Sequence, residues 1–205
     1  MKAKNSSKQE AATQDSFSIA CFDIETSNLS ADFGVVLCAV VKPYGGKAKV
    51  FRADDYPSFK AGRKYDDAAL VQDIIRELNQ HDILVAHNGV NFDRPFLNTR
   101  AVQQAASRGV DILDPRGKII DPVKLCRKYL RFSYNSLDRV LQHLGLGSKK
   151  AVRGDQWLRA LLSVGTEQRR AMNHVVVHCV QDVVLLERAV GRLRKFVTKI
   201  NEWGA

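Results

Sequence analysis

The chain has 205 residues, of which 45% are apolar and 26% are charged. This composition is typical of a soluble globular protein with one core, and it excludes collagen-like, low-complexity and disulfide-rich chains. The longest apolar run, residues 35–41, is far shorter than the roughly 20 residues of a membrane-spanning helix, so we expect no membrane partner.

The N-terminal segment is polar and lacks the apolar stretch of a secretory signal. We interpret residues 1–16 as a disordered polar tail and residues 17–205 as a single domain. The cysteines lie among apolar side chains without a CxxC pair, which indicates buried free thiols in a reducing compartment. We therefore expect a cytoplasmic protein. The four cysteines are Cys21, Cys38, Cys126 and Cys179.

The net charge of +10 is concentrated in one segment. Residues 115–153 carry 10 basic and 2 acidic side chains, whereas residues 1–114 carry 14 basic and 15 acidic ones. Such a basic segment would attract a polyanion such as nucleic acid. A solvated basic face is the alternative that charge alone leaves open.

Apolar patterning predicts strands first and then alternating helices and strands. The elements predicted up to residue 120 are strands over 17–25, 35–42 and 47–52, a helix over 68–78, a strand over 83–86, a helix over 93–106 and a strand at 119–120.

Three more helices are predicted after residue 120. Asp121 and Pro122 are typical of a helix start, and Asn135 is the expected N-cap of a helix that ends at Gly145. Apolar residues at intervals of three or four predict a long closing helix over 167–197. The fold class is therefore α/β, a mixed central sheet of about five strands flanked by helices.

Two carboxylates lie on the first predicted strand. Asp23 and Glu25 are two residues apart, so their side chains leave the same face of the strand and repel each other unless a cation lies between them. Acids that simply face water at a strand end are the alternative. Asp93 stands at a predicted helix start, where it could cap the helix, bind a metal ion, or do both.

A further acid lies on the closing helix. His178 and Asp182 are one helical turn apart within a run of apolar residues. An acid in such surroundings is costly unless it is paired with a basic group or bound to a cation. Both interpretations stay open at this point.

The three sequences FDIETSNL, HNGVNFDRPFL and HCVQDVVLLERA occur in this order on a strand, at a helix start and on a helix. Together they resemble the DEDD (DnaQ-like) 3′→5′ exonuclease superfamily of the ribonuclease H-like fold. The resemblance extends over about residues 17–197 and is strongest to the proofreading exonuclease domain of family B DNA polymerases and its stand-alone relatives. It places the motif acids at Asp23, Glu25, Asp93 and Asp182.

The third motif departs from both main branches of that family. The polymerase-like branch has Tyr with three residues before the Asp, and the other branch has His with four residues before it. Here His178 precedes Asp182 with three residues between them, so this chain combines the side chain of one branch with the spacing of the other.

The resemblance implies metal-dependent hydrolysis of phosphodiester bonds from the 3′ end of single-stranded nucleic acid, with DNA favoured over RNA and nucleoside 5′-monophosphates released. Two Mg²⁺ or Mn²⁺ ions would be held by the four acids. Asp23 would bridge both ions, Glu25 and Asp182 would complete the site that activates water, and Asp93 would hold the second ion. A polymerase or another replication or repair protein is the expected partner, and the oligomeric state is open.

His178 could orient or deprotonate the attacking water, and we expect activity to fall below about pH 6.5 as its imidazole becomes charged. Other side chains near the motifs are candidates for substrate contacts, although core packing and turn formation are equally compatible with some of them. These candidates are Ser27, Asn28, Leu29, Asn88, Phe92, Lys149, Lys150 and Arg153.

Two other classes of function are compatible with the residues. His174 and His178 have the spacing of two zinc ligands, with Cys179 beside them, but no third ligand of suitable spacing follows. A nucleic-acid-binding module that keeps the fold with weak or no catalysis is the second alternative. A 3′-end degradation assay separates this module from an exonuclease.

Overall fold

The structure is a computed structural model that describes residues 17–104, 111–114, 117–149 and 154–197. The predicted tail, together with Lys150 and Arg153, lies outside the described residues. The strands are β1 (Ile19–Thr26), β2 (Val36–Pro43), β3 (Lys49–Arg52), β4 (Ile83–Val85) and β5 (Lys118–Ile120). The helices are α1 (Pro57–Lys60), α2 (Ala68–Leu78), α3 (Asp93–Gln104), α4 (Pro122–Tyr129), α5 (Leu137–His143), α6 (Asp155–Leu162) and α7 (Gly165–Leu193).

The five strands form one mixed sheet in the order β3-β2-β1-β4-β5. The first three strands pair as an antiparallel meander, and β1 pairs in parallel with β4, which pairs in parallel with β5. This arrangement confirms the predicted α/β class with a five-stranded sheet flanked by helices. It also makes β1 the central strand, so its side chains are surrounded by other elements.

The core is built from β2 and the apolar stripe of α7. Six consecutive residues of β2 are buried, and α7 packs across β1 and β2. The pairing of β1 with β2 shifts between Glu25 and Thr26, which is a β-bulge. Bulges often occur beside active sites because they redirect a side chain at a strand end.

A buried ion pair fixes the loop after β1 to the helices beyond it. The Arg100 guanidinium donates to both carboxylate oxygens of Asp67, at 2.8–3.2 Å, and to the carbonyl oxygens of Ala31 and Tyr65. Asp67 in turn accepts a hydrogen bond from the Val36 amide at 2.8 Å. The start of α2, the middle of α3 and the start of β2 are therefore held together.

The sequence predictions and the structure differ at several places. The N-cap of α5 is Ser136, whose hydroxyl accepts from the Arg139 amide, and the prediction of Asn135 was wrong by one residue. The closing helix is continuous from Gly165 to Leu193 and then tightens into a 3₁₀ turn. Helix α6 was not predicted, because it is only eight residues long and its buried Ala160 and Leu161 stand next to the exposed Leu158 and Leu162. The four-residue helix α1 was not predicted either.

All four cysteines are buried and free, as the sequence predicted for these side chains. Within the described ranges, no helix is both long enough and apolar enough to cross a bilayer.

Candidate active site

Asp23 and Glu25 project from the central strand toward α7. The Cys179 thiol on α7 donates to the backbone oxygen of Asp23 at 3.4 Å and lies 3.5 Å from its carboxylate. The alternation of β1 places Phe22 and Ile24 in the core, so the two acids share the other face. The structure therefore places both carboxylates on one face of β1.

Asp93 reaches β1 from the first residue of α3. Its side chain is buried and accepts a hydrogen bond from the Ile24 amide at 3.2 Å. A tight turn brings it there: Asn88 adopts a left-handed conformation with φ of 64°, and a Cβ on Gly89 would lie 2.2 Å from the Cβ of Ala86. The left-handed region tolerates Asn better than most residues, and the contact requires glycine.

His178 and Asp182 come from the middle of α7, one turn apart as predicted. The Nε2 atom of His178 lies 3.8 Å from Glu25 Oε1 and 3.7 Å from Asp182 Oδ2. Asp182 therefore lies on the same side of the molecule as the strand acids. All four predicted acids meet at one place although they are far apart in the chain.

The donor atoms suit a hard divalent cation. Ligand atoms of Glu25, His178 and Asp182 lie within 4.8 Å of one another, and so do those of Asp23, Glu25 and Cys179. Asp182 Oδ1 is buried and has no hydrogen-bond partner, which is the state expected of a carboxylate oxygen that faces an ion site. Carboxylate oxygens are the ligands that Mg²⁺ and Mn²⁺ prefer, so the residues present fit the predicted metal.

Burial and mutual repulsion make these carboxylates hard to ionise without a cation. Burial, and then the charges of Asp93 and Asp182, raise the pKa of Asp23 well above its usual range. Burial and the charge of Asp23 raise the pKa of Glu25 to about 8. Burial raises the pKa of Asp93 to about 7, although the Ile24 amide opposes the shift. Burial lowers the pKa of His178, whereas the Asp182 charge acts in the opposite direction.

Lys149 contacts the acid cluster directly. Its ammonium group forms an ion pair with Asp182, and its backbone amide donates to Asp138 at 2.7 Å. The sequence predicted a role for this lysine on the substrate backbone, and that role stays a prediction. In this structure its positive charge lies beside Asp182, a carboxylate that is expected to bind a metal ion.

Trp157 on α6 is part of the site, and sequence reasoning missed it. Its indole nitrogen donates to Glu25 Oε2 at 2.7 Å, and its ring meets the edge of the His178 ring at a centroid distance of 5.5 Å. The available signal was weak: the chain has only two tryptophans, and this one follows the basic segment.

Asp121 was also missed as a neighbour of the cluster. It is fully buried at the start of α4, where one carboxylate oxygen accepts from the amides of Val123 and Asn88, each at 2.9 Å. Its charge contributes to the raised pKa of Asp93.

Two of the predicted substrate residues have structural partners of their own. The Ser27 hydroxyl accepts from the Val35 amide, and the Asn28 side chain accepts from the Ser30 amide, each at 3.0 Å. These contacts shape the loop after β1. Leu29 in that loop is 83% exposed, and with Phe92 and Trp157 it lines a cavity of about 370 Å³ next to Glu25.

A second cavity, of about 440 Å³, opens on the other side of the acids. Asp23, Asp182, Asn88 and Lys149 line it, together with the exposed Arg127 of α4. The basic segment therefore contributes side chains directly beside the carboxylates. A larger cavity of about 720 Å³, between the segment around α1 and the start of α7, contains none of the predicted site residues.

The zinc alternative finds little support in the geometry. His174 is exposed and belongs to neither group of close metal-binding side chains among the described residues. Burial raises the pKa of the Cys179 thiol well above its usual value, so this cysteine is a poor zinc ligand in its neutral form.

A mixed five-stranded sheet with an acid cluster on its central strand defines an RNase H-like protein. The sequence profile of the RNase H superfamily matches residues 20–194. The chain belongs to that superfamily. A comparison with curated proteins gives no match.

The fold is also similar to that of a much larger solved protein. The structure of the family B DNA polymerase from the hyperthermophilic archaeon Pyrobaculum calidifontis superposes with a TM-score of 0.64 at 18% sequence identity. The match covers 92% of this chain and 27% of the polymerase chain. At this identity the similarity establishes the fold alone.

Proposed function

We propose that the protein is a metal-dependent 3′→5′ exonuclease that shortens single-stranded nucleic acid, DNA in preference to RNA, and releases nucleoside 5′-monophosphates. The observation that carries the proposal is the convergence of Asp23, Glu25, Asp93 and Asp182 at the end of the central strand. Four acids that are buried or partly buried and lack enough basic partners are unfavourable unless cations bind them. Membership of the RNase H superfamily agrees with a nuclease.

The acids and His178 would have different roles. Asp23, Glu25, Asp93 and Asp182 would hold two Mg²⁺ or Mn²⁺ ions. When bound, these ions supply an activated water molecule and neutralise charge on the phosphate. His178, next to Glu25 and Asp182, would orient the attacking water or accept its proton.

The two cavities suggest a path for the strand. The apolar cavity beside Glu25 would receive the terminal nucleotide, because Leu29 and Phe92 offer surfaces on which a base can pack. The cavity with Arg127 and Lys149 would hold the phosphates of the preceding nucleotides. Lys150 and Arg153, which lie outside the described residues, are proposed to bind the phosphate backbone of the same strand.

A 5′-labelled single-stranded oligonucleotide tests the proposal. With Mn²⁺ or Mg²⁺ we expect a ladder of products shortened from the 3′ end, and no products with EDTA. Asp23→Asn and Asp182→Asn should each lower the rate by about 100-fold or more, because each removes charge stabilisation from the reacting phosphate. Asp55→Asn is the matched control, since Asp55 is exposed and outside the cluster.

One observation favours a second candidate, a nucleic-acid-binding module with weak or no catalysis. The ion pair between Lys149 and Asp182 places a protein cation on one of the proposed metal ligands. Tight binding of the oligonucleotide without shortening, with either metal, would support this module and contradict the exonuclease. Parallel DNA and RNA oligonucleotides test the substrate preference.

A further inference from the structure

The Glu25 carboxylate accepts a single direct hydrogen bond in the part of the chain that the structure describes. Trp157 donates to Oε2 at 2.7 Å, whereas Nε2 of His178 lies 3.8 Å from Oε1, beyond hydrogen-bond distance. An indole N–H donates one hydrogen bond and accepts none. It therefore fixes one oxygen of Glu25 and leaves the other free for a cation or a water molecule.

The ring of Trp157 also forms part of a cavity wall. It lines the cavity of about 370 Å³ that also contains Leu29 and Phe92, a volume within the range of small-ligand sites. Leu29 is 83% exposed, so the cavity offers an apolar side chain with little protein around it. Aromatic side chains in such a place stack on nucleobases without strong preference for one base.

Trp157 is fixed relative to the other half of the site. It shares the inner face of α6 with Ala160 and Leu161, which are buried against α7. Arg159 of α6 pairs with Glu167 of α7 at 3.0 Å. Since α7 carries His178 and Asp182, a movement of Trp157 relative to those residues would disturb this packing.

We propose that Trp157 is a positioning residue that links the terminal nucleobase to the metal-binding carboxylate Glu25. The indole N–H orients Glu25, and the indole ring packs against the base of the nucleotide to be released. A base in the cavity thus restrains the side chain that holds Glu25 in place. This inference deepens the proposed exonuclease function and rests on it.

Two substitutions separate the N–H from the ring. Trp157→Phe keeps an aromatic surface but removes the donor, so we expect kcat to fall about 10- to 100-fold with KM nearly unchanged. Trp157→Leu also removes the stacking surface, and KM should rise about tenfold or more in addition. Leu158→Ala, on the exposed side of the same helix, should leave both parameters at the parent values. A Trp157→Phe protein with the parent's kcat would overturn the inference.

Fluorescence gives a measurement that does not depend on turnover or on a Trp157 variant. Trp203→Phe leaves Trp157 as the only tryptophan in the chain. Thymidine 5′-monophosphate with Mg²⁺ should quench its emission in a saturable manner, whereas inorganic phosphate with Mg²⁺ should not. Equal responses to both, or no response to the nucleotide, would contradict base packing against Trp157.

The two proposals fail in different ways. If the parent does not shorten oligonucleotides but its Trp157 emission responds to the nucleotide, the exonuclease function is wrong and the base site stands. If the parent shortens oligonucleotides, but the Trp157 variants keep its kinetic parameters and the nucleotide does not quench Trp157 emission, only the inference about Trp157 is wrong.

Discussion

Lys149→Met removes the ammonium group that pairs with Asp182 and leaves a side chain of similar length. The side chains of Lys149 and Asp182 are 21% and 10% exposed, so water screens the pair only in part. A metal ion bound to Asp182 would lie close to this ammonium group, repel it and compete with it for the same carboxylate. We therefore expect the substitution to strengthen metal binding in the absence of nucleic acid.

The magnitude follows from the interaction that the metal replaces. A hydrogen bond to a charged group contributes about 1.5–3 kcal/mol, and every 1.4 kcal/mol changes an equilibrium constant about tenfold. The Mn²⁺ dissociation constant should thus fall by about 10- to 100-fold. The metal-free protein should lose stability by a similar free energy, since Asp182 Oδ1 already lacks a partner.

Isothermal titration with Mn²⁺ measures the affinity, and urea unfolding with EDTA measures the stability of the metal-free protein. Lys42→Met is the matched control. Lys42 pairs with Glu187 at 2.7 Å with exposures of 12% and 18%, so its loss should destabilise the fold comparably without changing Mn²⁺ binding. Equal dissociation constants for the two variants would refute the competition between Lys149 and the metal.

Three further outcomes are expected. Mn²⁺ binding should weaken as the pH falls from 8.5 to 6.5, because the ion binds the ionised forms of Glu25 and Asp93, whose pKa values are about 8 and 7. The affinity should fall by roughly tenfold per pH unit for each proton that the metal displaces. Asn88→Ala should cost about 1 kcal/mol of unfolding free energy, whereas Asn88→Gly should cost little, since only the former opposes the φ of 64°. Arg100→Ala should lower the unfolding free energy by about 3–5 kcal/mol in urea, because it leaves Asp67 buried without its cation.

Each of these outcomes has its own control. Glu25→Gln should flatten the pH dependence of Mn²⁺ binding, and an unchanged slope would exclude Glu25 from the linkage. If a stable Asn88→Gly protein loses activity, the Asn88 side chain contacts the substrate. Arg63→Ala removes the exposed ion pair with Asp66, whose atoms lie 3.5 Å apart, and should change the unfolding free energy by less than about 1 kcal/mol. This control compares the loss of a surface ion pair with the loss of the buried pair of Arg100.

Local patterns were sufficient to predict the framework of the site. Asp23 and Glu25 follow from the alternation of a strand, Asp93 from the start of a helix, and His178 and Asp182 from helical spacing. Each pattern extends over a few residues, so the local sequence is enough to place these side chains on a strand or a helix. The resemblance to known exonucleases added the expectation that the separate acids converge.

The contacts of Lys149 and Trp157 could not be predicted in this way. Lys149 is 33 residues from Asp182, and Trp157 is 132 residues from Glu25. The Trp157 contact depends on the packing of α6 on α7, and the position of Lys149 depends on the loop before α6. Neither arrangement follows from a local pattern of residues. The error at Asn135 has a smaller cause: neighbouring Asn and Ser are comparable N-cap residues, and the chain uses Ser136.

The acid cluster also explains why Lys149 and Trp157 occur where they do. Buried carboxylates whose pKa values lie near or above neutrality reduce the stability of a fold that must keep them ionised. The Lys149 ammonium offsets the charge of Asp182, and the Trp157 N–H opposes the pKa shift of Glu25. With apolar residues in place of Glu25 and Asp182, a stable core would require neither partner. A site for a metal ion requires such acids together with a cation that the metal can displace from Asp182 and a neutral donor that leaves one oxygen of Glu25 free.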